Sequence, residues 1–246
     1  MDLGLKDRVA VITGTGSQIG FGKAIALTLA AEGCDVVGTD INDEGAEQTA
    51  AAVRALGRKA LAFQTDISNR AEVDTAVNKT IEEFGKIDIL VNNAGLSVPW
   101  EAFLEMKDLS KIEKAMSVNL YGGMNMVRAI APHMASRKYG KIVNFSGGQG
   151  GPRDVPYSSS KGAVDSWTLS LARELAPLGI QVNVFLPPPA ETNLGTAHLP
   201  PNFWDEFKKR SPIGRMCTTD EVAKMIAFMV SDANSCMIGQ TIGIGF

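Results

Sequence analysis

Side chains that build metal centres and disulfide frameworks are scarce in this sequence. There are two histidines, His133 and His198, and three cysteines, Cys34, Cys217 and Cys236, far apart and without a C-x-x-C pair. Such a set excludes a zinc site or a disulfide scaffold as an organising feature, so no metal is expected. No apolar run approaches the ~20 residues that cross a bilayer. The opening MDLGLKDRVA lacks the basic-then-apolar layout of a secretory signal. The expectation is a cytoplasmic protein with no membrane partner. Basic residues are dispersed over a chain of net charge −3, so the positive stripe that nucleic acid requires is missing. No linker, repeat or low-complexity tract divides the chain.

What is present is ordinary globular material, 45% hydrophobic and 21% charged over 246 residues, enough to bury a sizeable core. It reads as one domain, 1–246. Short β-branched runs alternate with segments of helical spacing almost to the end. Strands are expected at 8–13, 35–40, 59–64, 87–92, 141–146 and 180–186, with a weak, glycine-punctuated one near 238–244. Helices are expected from about Phe21 through Leu29, and over 43–56, 69–84, 108–136, 157–177 and 219–231. Apolar strands without alternation are buried on both faces, which requires a mostly parallel sheet of seven strands covered by helices on either side. The expected fold class is α/β, a single doubly wound Rossmann-type domain.

The first strand runs into ITGTGSQIGFGKAIA, a glycine-rich turn opening a helix. Such a turn offers backbone N–H groups and the positive helix end to a pyrophosphate, although glycines also serve simply to make tight turns. Asp40 ends the second strand, where a carboxylate can accept both adenosine-ribose hydroxyls and repel a 2′-phosphate. No Arg or Lys stands at 15–18 or at 41. NAD is therefore favoured over NADP. Asp66, after the third strand, is placed to meet the adenine amino group, or to serve as a turn residue. Tyr157 and Lys161, four apart on a helix, differ by only about 40° around its axis and share a face. An ammonium about 4 Å from the phenol contributes about 4 kcal/mol at an effective dielectric of about 20, before desolvation. The expectation is a phenol made acidic enough to exchange a proton with a substrate hydroxyl. Ser146 ends the strand at 141–146 and is placed to steady the substrate oxygen.

Taken in order, TGTGSQIGFG, TD at 39–40, DI at 66–67, NNAG at 92–95, VNL at 118–120, NFS at 144–146, YSSSK at 157–161 and VNVFLPPPAET at 182–192 resemble a short-chain dehydrogenase/reductase of the YxxxK type. The resemblance covers nearly the whole chain. It implies Asn119, Ser146, Tyr157 and Lys161 as the catalytic set, with Lys161 also holding the nicotinamide ribose and Asn119 supporting a water relay. It implies cofactor contacts from Gly14, Ser17, Gln18, Ile19, Gly20, Asp40, Ile41, Asp66, Ile67, Asn93, Ala94, Gly95, Tyr157, Lys161, Pro187 and Thr192. NNAG would pack beside the adenine and steady the sheet.

The sequence departs from the family pattern in three places. The usual T-G-x-x-x-G-x-G is replaced either by a loop two residues longer, T-G-x5-G-x-G through Gly20 and Gly22, or by a loop in the ordinary register with Gln18 in place of the middle glycine. Pro188 stands where glycine is usual, and Gly245 where Asp is usual, one residue before Phe246.

The activity implied is NAD(H)-dependent interconversion of a secondary alcohol and its ketone, with a 3-hydroxyacyl thioester such as a CoA thioester among the candidate substrates. The altered loop, Pro188 and Gly245 prompt an alternative, a catalytically impaired nucleotide-binding or partner subunit. The family's habit implies a homo-oligomer, a tetramer through the helices at 108–136 and 157–177. Segments 96–101, 147–156 and 190–212 should form the substrate pocket, the last as a substrate loop, with Trp100, Phe203 and Trp204 as candidate walls. KKR at 208–210 would meet an acidic or phosphorylated substrate or form a solvated helix face, and Arg153 would bind a carboxylate or lie exposed.

Overall fold

A computed structural model of the chain describes residues 2–148, 150–196 and 202–245. The stretch 197–201 of the expected substrate loop, with His198, and Phe246 lie outside the described residues. In chain order the elements are β1 (Val9–Thr13), α1 (Phe21–Ala31), β2 (Asp35–Asp40), α2 (Asp43–Ala55), β3 (Ala60–Gln64), α3 (Arg70–Phe84), β4 (Ile89–Asn92), α4 (Ser110–Met116), α5 (Gly123–Ser136), β5 (Gly140–Phe145), α6 (Val155–Leu175), β6 (Ile180–Leu186), α7 (Asn193–Thr196), α8 (Phe203–Arg210), α9 (Thr219–Met229) and β7 (Thr241–Gly243).

The seven strands form one sheet in the order β3-β2-β1-β4-β5-β6-β7, and every neighbouring pair is parallel. Each residue of β1, β4 and β5 is buried, as a sheet covered on both faces demands. One face packs Ile25 and Leu29 of α1 against Val222 and Ile226 of α9. The other packs Val73 and Val77 of α3 against Met126, Ile130 and Met134 of α5 and Leu175 of α6. The order reverses between β1 and β4, which leaves a crevice at the carboxyl ends of the central strands.

One expected element is broken. The helix anticipated over 108–136 is α4 and α5 joined by a π-helical turn over Ser117–Gly122. Gly122 lies so close to Ile67 that a Cβ there would sit 2.6 Å from its side chain, so the wide turn and Ile67 fit together. π turns of this kind gather at functional sites, and this one carries Asn119.

At the opposite end of the sheet Asp88, fully buried, accepts from Val9 N at 3.0 Å and from Arg137 Nη2 at 2.6 Å, with Lys86 Nζ 3.2 Å away. Burial opposes its ionisation, but the Arg137 hydrogen bond, the Val9 amide and the Lys86 charge together hold its pKa below the usual carboxylate value. Removing the carboxylate strands a buried N–H and a guanidinium. Asp88→Ala is expected to cost about 3–5 kcal/mol, read by urea unfolding. Because the folded pKa is depressed, the carboxylate's contribution is complete above the unfolded value and disappears as pH falls through the folded one. The gap between wild type and variant should therefore close in acid, and a gap that stays constant to pH 3 would refute the assignment.

Candidate active site

The glycine turn is the first component of the crevice. Gly20 is the N-cap of α1, in an extended conformation, and a Cβ on Gly22 would lie 2.1 Å from Gly14 O. Gly20 and Gly22 thus have the places of the second and third glycines, and the longer register, T-G-x5-G-x-G, is the one adopted. The two extra residues lean on the next βα unit. Gly16 N donates to Asp40 Oδ2 at 2.7 Å, Asn42 Nδ2 to Gly16 O at 3.3 Å, Thr49 Oγ1 to Thr15 O at 2.8 Å, and Gln18 Nε2 to Gly45 O at 2.9 Å. Cβ atoms on Gly38 or Gly45 would collide with Thr15 or with the Gly16 carbonyl. The loop is therefore seated against α2.

The Gln18 amide spans from Gly45 to Lys23, whose Nζ donates to it at 2.7 Å, and Ile19 and Ile41 are exposed. Phe21, first residue of α1, lines the cavity beyond; it was missed because the register was open. Ser17 Oγ is buried without a protein partner, beside the first turn of α1, whose N–H groups have no intrahelical acceptor. An orphaned hydroxyl beside free amides at a helix N-terminus suits a phosphate group.

Asp40 splits its carboxylate between Gly16 N and Asn42 N, the latter at 2.9 Å to Oδ1. A carboxylate accepts about four hydrogen bonds, so both oxygens keep capacity for a ribose. Asp66 Oδ1 accepts from Ser68 N at 2.9 Å and Ser68 Oγ at 2.7 Å, the bonds of a turn residue. Ile67 is buried, with its carbonyl taken by Asn125 Nδ2 at 3.0 Å. In NNAG, Asn93 Nδ2 donates to Thr13 O at 2.8 Å and Gly14 O at 3.1 Å, and Ala94 N to Thr13 Oγ1 at 2.9 Å. These bonds latch β4 to the glycine turn.

The second component comes from the carboxyl ends of β5 and β6, the π turn and α6. Lys161 is enclosed, and its Nζ donates to Phe145 O at 2.8 Å. A Cβ on Gly95 would lie 3.3 Å from Asn119 Oδ1 and 3.5 Å from Lys161 Nζ, so these three residues converge. Asn119 accepts from Leu96 N at 2.7 Å and donates to Leu96 O at 3.0 Å and to Ser160 Oγ at 2.9 Å, tying the loop after β4 to α6. Ser146 Oγ is buried without a protein partner. At the next residue, Gly147, a Cβ would sit 2.7 Å from the Tyr157 hydroxyl; glycine is needed for that approach. Ser146, Tyr157, Lys161 and Asn119 are thus brought together.

The electrostatic expectation for Tyr157 is corrected. Burial, with the Asp154 charge adding to it, pushes the phenol up to about 12. Lys161 Nζ lies 5.8 Å from the Tyr157 ring centroid and is turned to the Phe145 carbonyl. Burial brings Lys161 down to about 8, with Asp165 opposing. Spacing places the two groups together, but it does not report how dry the site is.

A family model described as Enoyl-(Acyl carrier protein) reductase matches residues 14–245. The 3-oxoacyl-(acyl-carrier-protein) reductase FabG of Thermotoga maritima is 35% identical, over 98% of this chain and 97% of that protein. The (2S)-((R)-hydroxy(phenyl)methyl)succinyl-CoA dehydrogenase subunit BbsD of Thauera aromatica is 36% identical, over 98% and 96%. The crystal structure of a 3-ketoacyl-(acyl-carrier-protein) reductase from Brucella melitensis complexed with NADH superposes with a TM-score of 0.89 at 34% identity, over 98% and 97% of the two chains. The chain belongs to the short-chain dehydrogenase/reductase family.

Two departures from that family's pattern meet in space. Gly245 has φ +90°, and a Cβ on it would lie 2.9 Å from Pro188 Cβ and 3.4 Å from Cys217 Sγ. The Pro188 ring fills the space that a side chain at 245 would need. Pro187, Pro188, Thr192, Tyr157 and Gly147 border a cavity of ≈ 420 Å³ together with Trp100, Phe203 and Trp204, the three expected walls, and Phe207, which was not anticipated. Thr192 Oγ1 accepts from Gly195 N at 3.0 Å and keeps its own proton for another acceptor. The basic run turns away: Lys208 pairs with Glu191 at 2.6 Å, Lys209 with Glu206 at 2.7 Å, and Arg210 lies over the Phe207 ring. Arg153 is exposed and pairs with Glu105 at 3.1 Å.

The enclosed Lys161 has a measurable signature. With a folded pKa of about 8 against 10.5 for a free lysine, the native state binds fewer protons than the unfolded state between those values. Stability therefore rises with pH across that window. Denaturant unfolding of wild type and Lys161→Met at pH 7, 8, 9 and 10 should show wild type gaining on the variant from pH 8 upward. A pH-independent difference would mean the amine is not enclosed.

Proposed function

We propose that the protein is an NAD(H)-dependent oxidoreductase that interconverts a secondary alcohol and its ketone, with Tyr157 exchanging the hydroxyl proton. The observation that carries this reading is the convergence of Ser146, Lys161 and Asn119 behind Tyr157, which lines the cavity, beside a glycine turn with an orphaned serine hydroxyl. The relatives' names are those of alcohol dehydrogenases and ketone reductases, and one solved relative is complexed with NADH. Ser17 and the first-turn amides of α1 would hold the pyrophosphate, Asp40 the adenosine ribose, and Lys161 the nicotinamide ribose. When bound, the nicotinamide supplies the acceptor or donor of a hydride.

In the ketone direction Tyr157, a protonated phenol at neutral pH, donates its proton to the carbonyl oxygen while that carbon gains hydride. Ser146 Oγ donates to the same oxygen and stabilises the charge that develops there. Lys161 then faces a phenolate, and its positive charge limits the cost of that buried anion. Oxidation runs the same steps backward, with the phenolate taking the hydroxyl proton. Asn119 positions Lys161 and the loop after β4. The partner-subunit alternative has less support, since Pro188 and Gly245 accommodate each other.

Tyr157→Phe should leave NADH binding, followed by nucleotide fluorescence, nearly unchanged, and lower turnover of secondary alcohols at least about a hundredfold. Unchanged turnover would remove Tyr157 from the mechanism. Asp40→Ala loosens the glycine turn as well as losing a ribose acceptor, so the informative quantity is the NAD to NADP ratio of kcat/KM. A ratio that shifts at least about tenfold toward NADP supports Asp40 as the discriminating group. Equal losses with both nucleotides would limit Asp40 to holding the loop.

A further inference from the structure

Beyond the reacting groups, the cavity has two chemically distinct parts. One is an aromatic wall from α8: Phe203 meets Trp204 edge-on at 5.1 Å and stacks on Phe207 at 5.8 Å, with Trp100 also lining the space. The other is a single carboxylate, Asp154, beside Tyr157. Among the described residues that line the cavity there is no lysine, arginine or histidine.

Asp154 occupies the N-cap position of α6 but makes no side-chain hydrogen bond to the helix backbone. Its Oδ2 accepts from Ser158 Oγ at 2.9 Å, which leaves most of its acceptor capacity unused. The adjacent Arg153 pairs with Glu105 instead. A half-buried carboxylate without a cation is costly unless a donor reaches it, and burial does raise its pKa, with Ser158 opposing. The open side of Asp154 is the cavity itself.

We propose that Asp154 is a substrate-recognition residue, and that the cavity takes a ring-bearing secondary alcohol, or its ketone, with a hydrogen-bond donor close to the carbinol carbon. The donor is a hydroxyl or an ammonium. This inference rests on the oxidoreductase reading above and narrows its substrate class. The ring lies against the Trp100, Phe203 and Trp204 wall, and the donor meets Asp154 while the reacting oxygen meets Tyr157. The cavity size suits a small molecule of this kind. A substrate with a carboxylate close to the carbinol is disfavoured, because Asp154 repels it and no cation of the lining compensates. A 3-hydroxyacyl thioester presents a carbonyl acceptor there, the wrong partner for a carboxylate.

The test compares 1-phenylethanol, 1-phenyl-1,2-ethanediol and 2-amino-1-phenylethanol, each as separated enantiomers, with full-length protein and NAD. Two readouts are taken: kcat/KM, and the dissociation constant from quenching of tryptophan fluorescence, since Trp100 and Trp204 line the cavity. In both, the diol and the amino alcohol should be favoured over 1-phenylethanol by at least about tenfold, as a charge-assisted hydrogen bond provides. Asp154→Asn, which retains an acceptor for Ser158, should reduce the amino alcohol's preference to below about threefold while 1-phenylethanol binds as before. A lower melting temperature with the preference intact would make Asp154 only a helix-terminal residue and overturn the proposal. Equal binding of all three compounds by wild type would overturn it as well. Turnover without preference sinks this inference alone, whereas preferential binding without turnover of any compound sinks the oxidoreductase reading and leaves the recognition site standing.

Discussion

An ammonium group sealed inside the fold is the constraint around which the site is organised. Lys161 has left water for a position where the Phe145 carbonyl accepts one of its protons, and a single neutral acceptor does not compensate the desolvation of a charge. The surroundings are shaped by that demand. β5 ends where its last carbonyl faces the amine, α6 turns its Tyr157, Ser160 and Lys161 face inward, and Gly95 leaves room between Asn119 and the amine. The π turn at Ser117–Gly122 bears Asn119 to both Leu96 and Ser160, so the loop after β4 and α6 are tied together. A charge kept poorly solvated is a reserve of interaction for an anion formed beside it, and in the proposed reaction the only such anion is the phenolate of Tyr157.

The glycine turn shows how an unusual length is absorbed. Two added residues in a phosphate-binding turn would ordinarily loosen it. Here Gly38 and Gly45 open space on the neighbouring βα unit, and Asp40, Asn42, Thr49 and Gln18 hold the turn there. Asp40 therefore has two duties, one to the loop and one to the proposed ribose.

The sequence pattern carried the architecture well wherever burial alone decides it. Strands at 35–40 and 180–186 appear at the bounds expected, because continuous apolar runs between polar breaks leave little choice in a covered parallel sheet. The π turn was invisible, since apolar spacing over 108–136 suits an unbroken helix and nothing local reports an i to i+5 bond. The loop register was undecidable without Gly22, whose contact with the Gly14 carbonyl is made only when α1 docks. Tyr157 and Lys161 were legible as neighbours, but the sign of the phenol's shift was not, because burial depends on the whole fold. Phe207 and Asp154 escaped notice because a hydrophobic residue in a short helix and an acid before a helix have many ordinary explanations until a shared cavity gives them one.

The meeting of Pro188 with Gly245 changes how deviation from a family pattern should be counted. Read along the chain, they are two separate losses; in space they form one exchange, a ring gained where a side chain was given up. Restoring an aspartate at 245 alone would drive its first carbon into the proline. Reversion through that position first is sterically closed, so the two sites are expected to be inherited as a unit, and the tail of the chain is committed to its present course past the Pro188 end of the cavity.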